Sequence, residues 1–362
     1  MPEAPRPHLK ALTGLRFVAA LPVVLFHVLP RAAMPAWAGH LADLGYITVG
    51  LFVVLSGFVL AYAYGDSEGE VDKAGFYRNR FARIYPVYAL AMLVALPEFA
   101  RTFEALELPR DEFSLDVLLR FTLVHAWHPG TMKYYNVPSW SLSCEAFFYL
   151  LFPFILPAVM RIKANEVFRS LVAVLALAAF APALYEWTYP GATPATENYR
   201  VLLIKFHPLV RLPEFIAGVL LGRLYLGQTE RPARLDRYLW LGPAVVVLAV
   251  LFGMPYVLLH TGGLAAAFAA MVWGLAWRGS SWLASRPMVL LGEASYALYI
   301  LHLPVFRILE GWAAGRGIAV GTLPFALAMV LVLIAISLAV QRLYEAPMRR
   351  WIRAETWRSE GR

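Results

Sequence analysis

The chain has 362 residues, of which 60% are hydrophobic and 15% charged, with a mean hydropathy of +0.60. Soluble domains run at about 45–50% apolar and about 25% charged, so an ordinary soluble fold is excluded, and disorder with it. A single cysteine excludes a disulfide-rich secreted scaffold.

A helix needs about 20 apolar residues to cross the hydrocarbon core. Windows of that size predict an all-α polytopic membrane protein with about ten transmembrane helices. They fall at 12–30, 45–64, 83–100, 140–160, 168–186, 201–223, 239–256, 258–277, 288–308 and 321–343. The first follows a short basic start that resembles a signal peptide in outline. Reading it as a retained span keeps Arg16 and His27 in the chain. The longest segment between spans, 97–139, is acidic in its first half, with Glu98, Glu104, Glu107, Asp111, Glu112 and Asp116. Its second half is aromatic and His-rich, with His125, Trp127, His128, Tyr134 and Tyr135 leading to Trp140. It reads as an interfacial belt or a sugar-stacking platform. The split between the seventh and eighth windows rests only on Pro255, His260, Thr261, Gly262 and Gly263. Residues 1–343 form one expected membrane domain and 344–362 a short basic cytoplasmic tail, with no soluble domain after the last span.

The net charge of +8 has a topological explanation. With the N-terminus inside, 21 of the 32 Lys and Arg fall on inner segments, eight on outer loops, and Arg16, Lys205 and Arg211 inside spans. Every inner segment is basic, as the positive-inside rule requires, so both termini are expected in the cytoplasm and nucleic acid is not an expected partner.

Ionisable groups inside spans are costly, so each is a functional candidate. Arg16 and His27 are eleven residues apart, which places them within about 20° on one helix face and about 16.5 Å apart along the axis. Ser295, Tyr299 and His302 follow the i, i+4, i+7 spacing of one face. Glu145 enters the fourth span one turn after Ser141, and Arg211 and Glu214 in the sixth are spaced to pair. Arg80 and Arg83 open the third span. A cationic inner mouth of Arg16, Arg80 and Arg83 suits a phosphate-bearing ligand, and a His–carboxylate group farther out suits general-base chemistry on a hydroxyl. Cys144 faces a different direction from Glu145. Neither a metal-ligand spacing nor a Gly-rich phosphate loop is present.

Taken in order, these motifs resemble the acyltransferase-3 family of integral membrane O-acyltransferases. Leu12-Thr13-Gly14-Leu15-Arg16 leading to His27 resembles the family's Arg-x10-His, and Leu51 to Phe58 its second-span signature. Arg80-Phe81-Ala82-Arg83-Ile84-Tyr85-Pro86 resembles its Arg-x-x-Arg entry to the third span, and Ser139-Trp140-Ser141-Leu142-Ser143-Cys144-Glu145 its Ser-x-x-x-Glu element. Ser295 to Pro304 resembles its late His segment, and Tyr344-Glu345-Ala346-Pro347 its closing motif. Many relatives carry two consecutive acids where this chain has Glu145 followed by Ala146.

The resemblance implies transfer of an acyl group, by default acetyl, from cytoplasmic acyl-CoA as co-substrate to a hydroxyl near the outer face. No permanently bound cofactor is implied. The implied acceptor is a cell-envelope or exported glycan or glycolipid, and the implied location a bacterial inner membrane. His27 would be the general base, oriented by Glu145 or His302, with Arg16, Arg80 and Arg83 on CoA phosphates. Trp140, Tyr296 and Tyr299 would line the acceptor, with Ser141, Arg211 and Glu214 in support. The competing class is a transporter or flippase of a glycan or lipid intermediate. Against it, the sequence displays no inverted repeat and no matching pair of interrupted spans.

Overall fold

The computed structural model describes residues 6–65, 70–107, 109–128, 130, 135–228, 230, 235–278 and 281–354. Lys133, Tyr134, Arg231, Arg234 and the end of the tail from Glu355 lie outside them. Among the described residues there is no strand. The helices are α1 Lys10–Val28, α2 Ala36–Asp43, α3 Val49–Tyr64, α4 Lys73–Ala105 and α5 Arg110–Phe121. They continue with α6 Trp140–Met160, α7 Ala164–Thr188, α8 Tyr199–Phe206, α9 Pro208–Leu226, α10 Leu235–Leu251 and α11 Tyr256–His260. The series closes with α12 Ala265–Ala276, α13 Arg286–Ala314, α14 Leu323–Val340 and α15 Ala346–Ala354.

Every predicted window lands on helix, because each is a near-continuous apolar run whose backbone groups must be satisfied internally in lipid. Among the described residues, eight helical segments are long and apolar enough to cross a bilayer. The two windows outside that set are α9, which carries Arg211, Glu214 and Arg223, and α10, which has 17 residues. The chain is thus an all-α, multi-pass membrane protein.

It divides into two compact units, each built from separated stretches. One comprises Met1–Arg16, Val49–Val71 and Leu150–Val289; the other comprises Phe17–Thr48, Asp72–Tyr149 and Leu290–Arg362.

In the first unit, α3 and α9 approach backbone to backbone. A Cβ on Gly57 would run into the Phe215 carbonyl, and one on Gly218 into that of Val54. Gly218 and Gly222 form the small-xxx-small spacing that lets membrane helices touch closely. The sequence displays no matching pair of interrupted spans, and in the structure the sixth and eighth windows are both broken. Pro208 disfavours the helical region for the residue before it, and His207 is extended at φ −69°, ψ 129°, separating α8 from α9. Thr261 is extended and Gly262 has φ +67°, which separates α11 from α12.

Broken backbone at membrane depth must find partners within the protein. The Arg211 guanidinium donates to the His260 carbonyl at 2.6 Å, at the end of α11. The Gly262 N–H donates to Glu214, ahead of α12. Arg211 and Glu214 pair with each other at 3.0 Å and are fully buried. A cation therefore meets the C-terminal end of one half-helix and an anion the N-terminal end of the next, which is the favourable sense for both dipoles. A second link joins α8 to α11: Lys205 pairs with Glu197 and donates to the Tyr256 hydroxyl at 2.6 Å.

In the second unit α1, α4 and α13 each contain proline, and side chains occupy carbonyls near the prolines of α1 and α4. Thr48 donates to Ala19 O at 2.7 Å, three residues before Pro22. The Tyr296 hydroxyl donates to Ile84 O at 2.6 Å, two residues before Pro86. After α14 the helix widens into one π turn, Gln341–Glu345, before α15. The segment beyond residue 343 thus continues as helix to Ala354, and that turn directs Glu345 inward, where it is buried.

Candidate active site

Nine of the twelve residues singled out from the sequence belong to the second unit: His27, Arg80, Arg83, Trp140, Ser141, Glu145, Tyr296, Tyr299 and His302. They form three tiers along α13.

The first tier is an imidazole pair. His27 lies in the last turn of α1 and His302 in the middle of α13, with ring centroids 5.0 Å apart. His302 is fully buried and His27 half-buried. His27 Nδ1 lies 2.8 Å from the Val23 carbonyl and His302 Nδ1 2.7 Å from the Tyr299 carbonyl. A carbonyl only accepts, so each neutral ring carries its proton on Nδ1. His302 Nε2 lies 3.2 Å from His27 Nδ1. With these tautomers it accepts from His27 Nδ1–H, which it shares with Val23. The remaining nitrogen, His27 Nε2, keeps its lone pair.

The second tier is a hydroxyl group. Tyr299 donates to the Pro138 carbonyl at 3.1 Å, and Ser141 donates to the Tyr299 oxygen at 2.9 Å. Trp140 is buried beside them in sequence, at the start of α6.

The third tier lies about 9 Å below His302, given six residues at 1.5 Å each from Tyr296. Tyr149 donates to Glu145, and the Arg80 guanidinium lies over the faces of Tyr149 and Phe76, 5.7 Å from each centroid. Glu145 also lies within electrostatic reach of Tyr296. Arg83 sits 5.6 Å from the Tyr296 ring centroid and pairs with Glu345. Glu145 therefore keeps company with Tyr149 and Tyr296, whereas the imidazole found at His27 is His302.

The other three residues belong to the first unit. Arg211 and Glu214 close the break between α11 and α12. Arg16 lies half-buried on α1, which is uninterrupted between it and His27.

Two features escape a reading of the sequence. Arg31, which the sequence offers only as an outer-loop charge, folds back over the end of α1. It donates to Leu29 O and Phe26 O at 2.6 Å each and pairs with Asp43 at 2.7 Å. It thus caps the carbonyls of the turn that carries His27. The segment 97–139, read as an interfacial belt or a sugar-stacking platform, buries a polar network in its described part from 110 onward. Arg120, with no exposure at all, pairs with Asp116 at 2.9 Å, lies over the Tyr135 ring and reaches Ser139 Oγ at 3.4 Å. His125 Nε2 lies 3.2 Å from the same Ser139 Oγ. Burial first, and Arg120 second, hold the His125 imidazole well below the usual histidine range. The Asp116–Arg120 spacing, i to i+4 on a helix, was a legible signal for the ion pair; nothing in the sequence reported its burial.

The structure thus sets two imidazoles from distant helices side by side in a multi-pass helical membrane protein, with tyrosine and arginine tiers along the same helix. The chain belongs to the acyltransferase-3 family, whose sequence profile, described as an acyltransferase domain, matches residues 9–342. It is 30% identical over 321 residues to acyltransferase MdmB of Streptomyces mycarofaciens, covering 83% of this chain and 79% of the relative. It is 29% identical over 340 residues to the exopolysaccharide production protein ExoZ of Rhizobium meliloti (strain 1021), covering 91% and 96%. It is 27% identical over 328 residues to the putative peptidoglycan O-acetyltransferase YrhL of Bacillus subtilis (strain 168), covering 82% of this chain and 48% of that protein. No solved structure matches the chain. The protein is a membrane acyltransferase, for which an acyl donor is the co-substrate.

Proposed function

We propose that the protein transfers an acyl group, by default acetyl, from cytoplasmic acyl-CoA to a hydroxyl of a cell-envelope or exported glycan or glycolipid. The carrying observation is the imidazole pair. His27 Nε2 removes the acceptor hydroxyl proton as that oxygen attacks the thioester carbonyl. Collapse of the tetrahedral adduct breaks the carbon–sulfur bond, and the imidazolium returns the proton to the departing thiolate, leaving an ester and free CoA. A positioned base contributes about 10²–10⁴-fold. His302, accepting from His27 Nδ1–H, holds the reactive tautomer and shares the charge that develops, as the third member of a triad does for its base. This favours His302 over Glu145 as the orienting group.

Arg80 and Arg83 are the proposed phosphate ligands, with Arg16 in the same role on the face of α1 that carries His27. Arg83 would exchange Glu345 for phosphate. Glu145 would polarise the tyrosine tier, and Trp140, Tyr296, Tyr299 and Ser141 would face the acceptor. The relatives whose names mention exopolysaccharide and peptidoglycan support a carbohydrate acceptor. The basic inner segments support cytoplasmic termini, residues 344–362 on the cytoplasmic side, and a bacterial inner membrane.

The transporter reading gains one observation, the interrupted spans of the first unit. The break between α11 and α12, however, is closed by side chains of the protein itself. The separating experiment is mass spectrometry of envelope glycans and glycolipids from cells carrying wild type or His27→Ala at equal membrane abundance. An acyl mass increment present only with wild type supports transfer. Equal acylation with altered surface glycan would overturn it in favour of transport.

A further inference from the structure

Proline in a helix interior lacks the N–H that would donate to the carbonyl four residues earlier. In α13 that proline is Pro304, and the carbonyl it leaves without its donor is Ile300 O. Ile300 lies between Tyr299, whose carbonyl fixes the His302 tautomer, and His302 itself. At this point an outside group arrives. The side-chain amide of Asn136 donates to Ile300 O at 3.0 Å in a buried setting.

Asn136 is itself placed for this. Its backbone is left-handed, φ 40° and ψ 64°, a conformation that asparagine tolerates and branched residues do not. The same short segment is held to α13 by the Tyr299–Pro138 and Ser141–Tyr299 hydrogen bonds. On its other flank, Tyr135 donates to the Met92 carbonyl and Ser139 meets Arg120 and His125. The segment 135–141 is therefore anchored on α4 and the outer network, and delivers one donor to the turn of α13 that presents His302.

We propose that Asn136 is a positioning residue for the imidazole pair, its amide standing in for the backbone N–H that Pro304 lacks. A buried carbonyl without a donor relaxes its turn, and His302 Nε2 swings with that turn relative to His27. Asn136 touches neither imidazole; it acts through the backbone of residues 299–302. The inference rests on the reading of His27 as the base, but half of its test does not.

The test is a double-mutant cycle between Asn136→Gly and Pro304→Ala. Glycine keeps the left-handed backbone without strain and removes only the amide. The Pro304→Ala substitution restores the missing N–H. Two quantities are measured: the thermal midpoint of purified protein in detergent, and base-labile label transferred from radiolabelled acetyl-CoA to envelope glycan in membrane vesicles. With Pro304 present, N136G is expected to lower the midpoint by about 2–4 °C. It is also expected to lower Vmax about ten- to hundredfold at an unchanged acetyl-CoA KM. In the Pro304→Ala background, both effects of N136G are expected to vanish or shrink to about twofold in rate. Equal effects of N136G in the two backgrounds, or none in either, overturn the proposal. If P304A alone removes activity, the thermal cycle decides. Equal transfer by wild-type and His27→Ala vesicles would overturn the functional reading instead, and leaves the thermal cycle free to judge the Asn136 contact.

Discussion

His302 presents its Nε2 to His27 Nδ1 at 3.2 Å while its own Nδ1 is held by the Tyr299 carbonyl, so the two rings are ordered donor to acceptor along one line. Only one nitrogen of the pair, His27 Nε2, is left to take a proton from outside. The two histidines therefore have unequal duties, and substitutions should separate them.

His27→Ala is expected to lower transfer by about 10²–10⁴-fold, the usual worth of a general base. His302→Gln keeps a polar group near His27 Nδ1 but loses the relay, and a smaller loss of about 10–10²-fold is expected. Initial rates of labelled acetyl transfer in vesicles check both. A larger loss for His302→Gln than for His27→Ala would reverse the assigned roles.

Arg83 and Glu345 separate a structural pair from a donor-binding one. The Glu345 side chain is 2% exposed, so Arg83→Met alone strands a buried carboxylate and is expected to cost about 3–5 kcal/mol. Arg83→Met with Glu345→Met removes both charges and should restore the thermal midpoint. If Arg83 also binds CoA phosphate, the folded double variant will have an acetyl-CoA KM at least tenfold higher. An unchanged KM would leave Arg83 with the structural role alone.

Arg211 and Glu214 give the opposite expectation. Each also satisfies one end of the break between α11 and α12, through His260 O and Gly262 N–H. Removing both charges leaves two buried backbone groups without partners, so Arg211→Met with Glu214→Met should remain destabilised by about 2–6 kcal/mol. Thermal unfolding of single and double variants in detergent tests this, and recovery in the double variant would contradict it.

His125 predicts a pH response in the 110–139 segment. Its folded value lies well below the ordinary 6.5 through burial. Above that pH both folded and unfolded forms are neutral and the contribution is constant. Below it the unfolded form binds a proton the folded form does not, so stability falls as pH drops from about 6.5 toward the folded value. Proteolysis of the 110–139 segment should quicken between pH 7.5 and pH 5 in wild type. A variant His125→Gln should lose most of that dependence.

Helix positions were legible because lipid solvation demands long apolar runs, and ten such runs became helix. The weak split around Pro255–Gly263 was visible as turn material, yet its form was not. A window sums hydropathy and cannot register that Thr261 and Gly262 leave the helix while remaining buried. The candidate site divides in the same way. His27, His302, Arg80 and Arg83 are marked by residue type at membrane depth. Which imidazole meets which is a contact across 275 positions of chain, set by the packing of α1 on α13. Asp116, Arg120 and His125 fell in a segment read as a belt or a sugar-stacking platform, because composition does not distinguish an exposed ion from a paired, buried one.

The Arg31 cap bears on how α1 can be altered. A helix frays at its last turn, and that is where His27 sits. Arg31, folded back onto Phe26 and Leu29 and tied to Asp43, clasps an end that would otherwise unravel. The aim of the imidazole thus depends on the loop that follows the helix as much as on the helix itself. A transplant of α1 into another scaffold would carry the histidine without its steadiness unless residues 29–43 travelled with it.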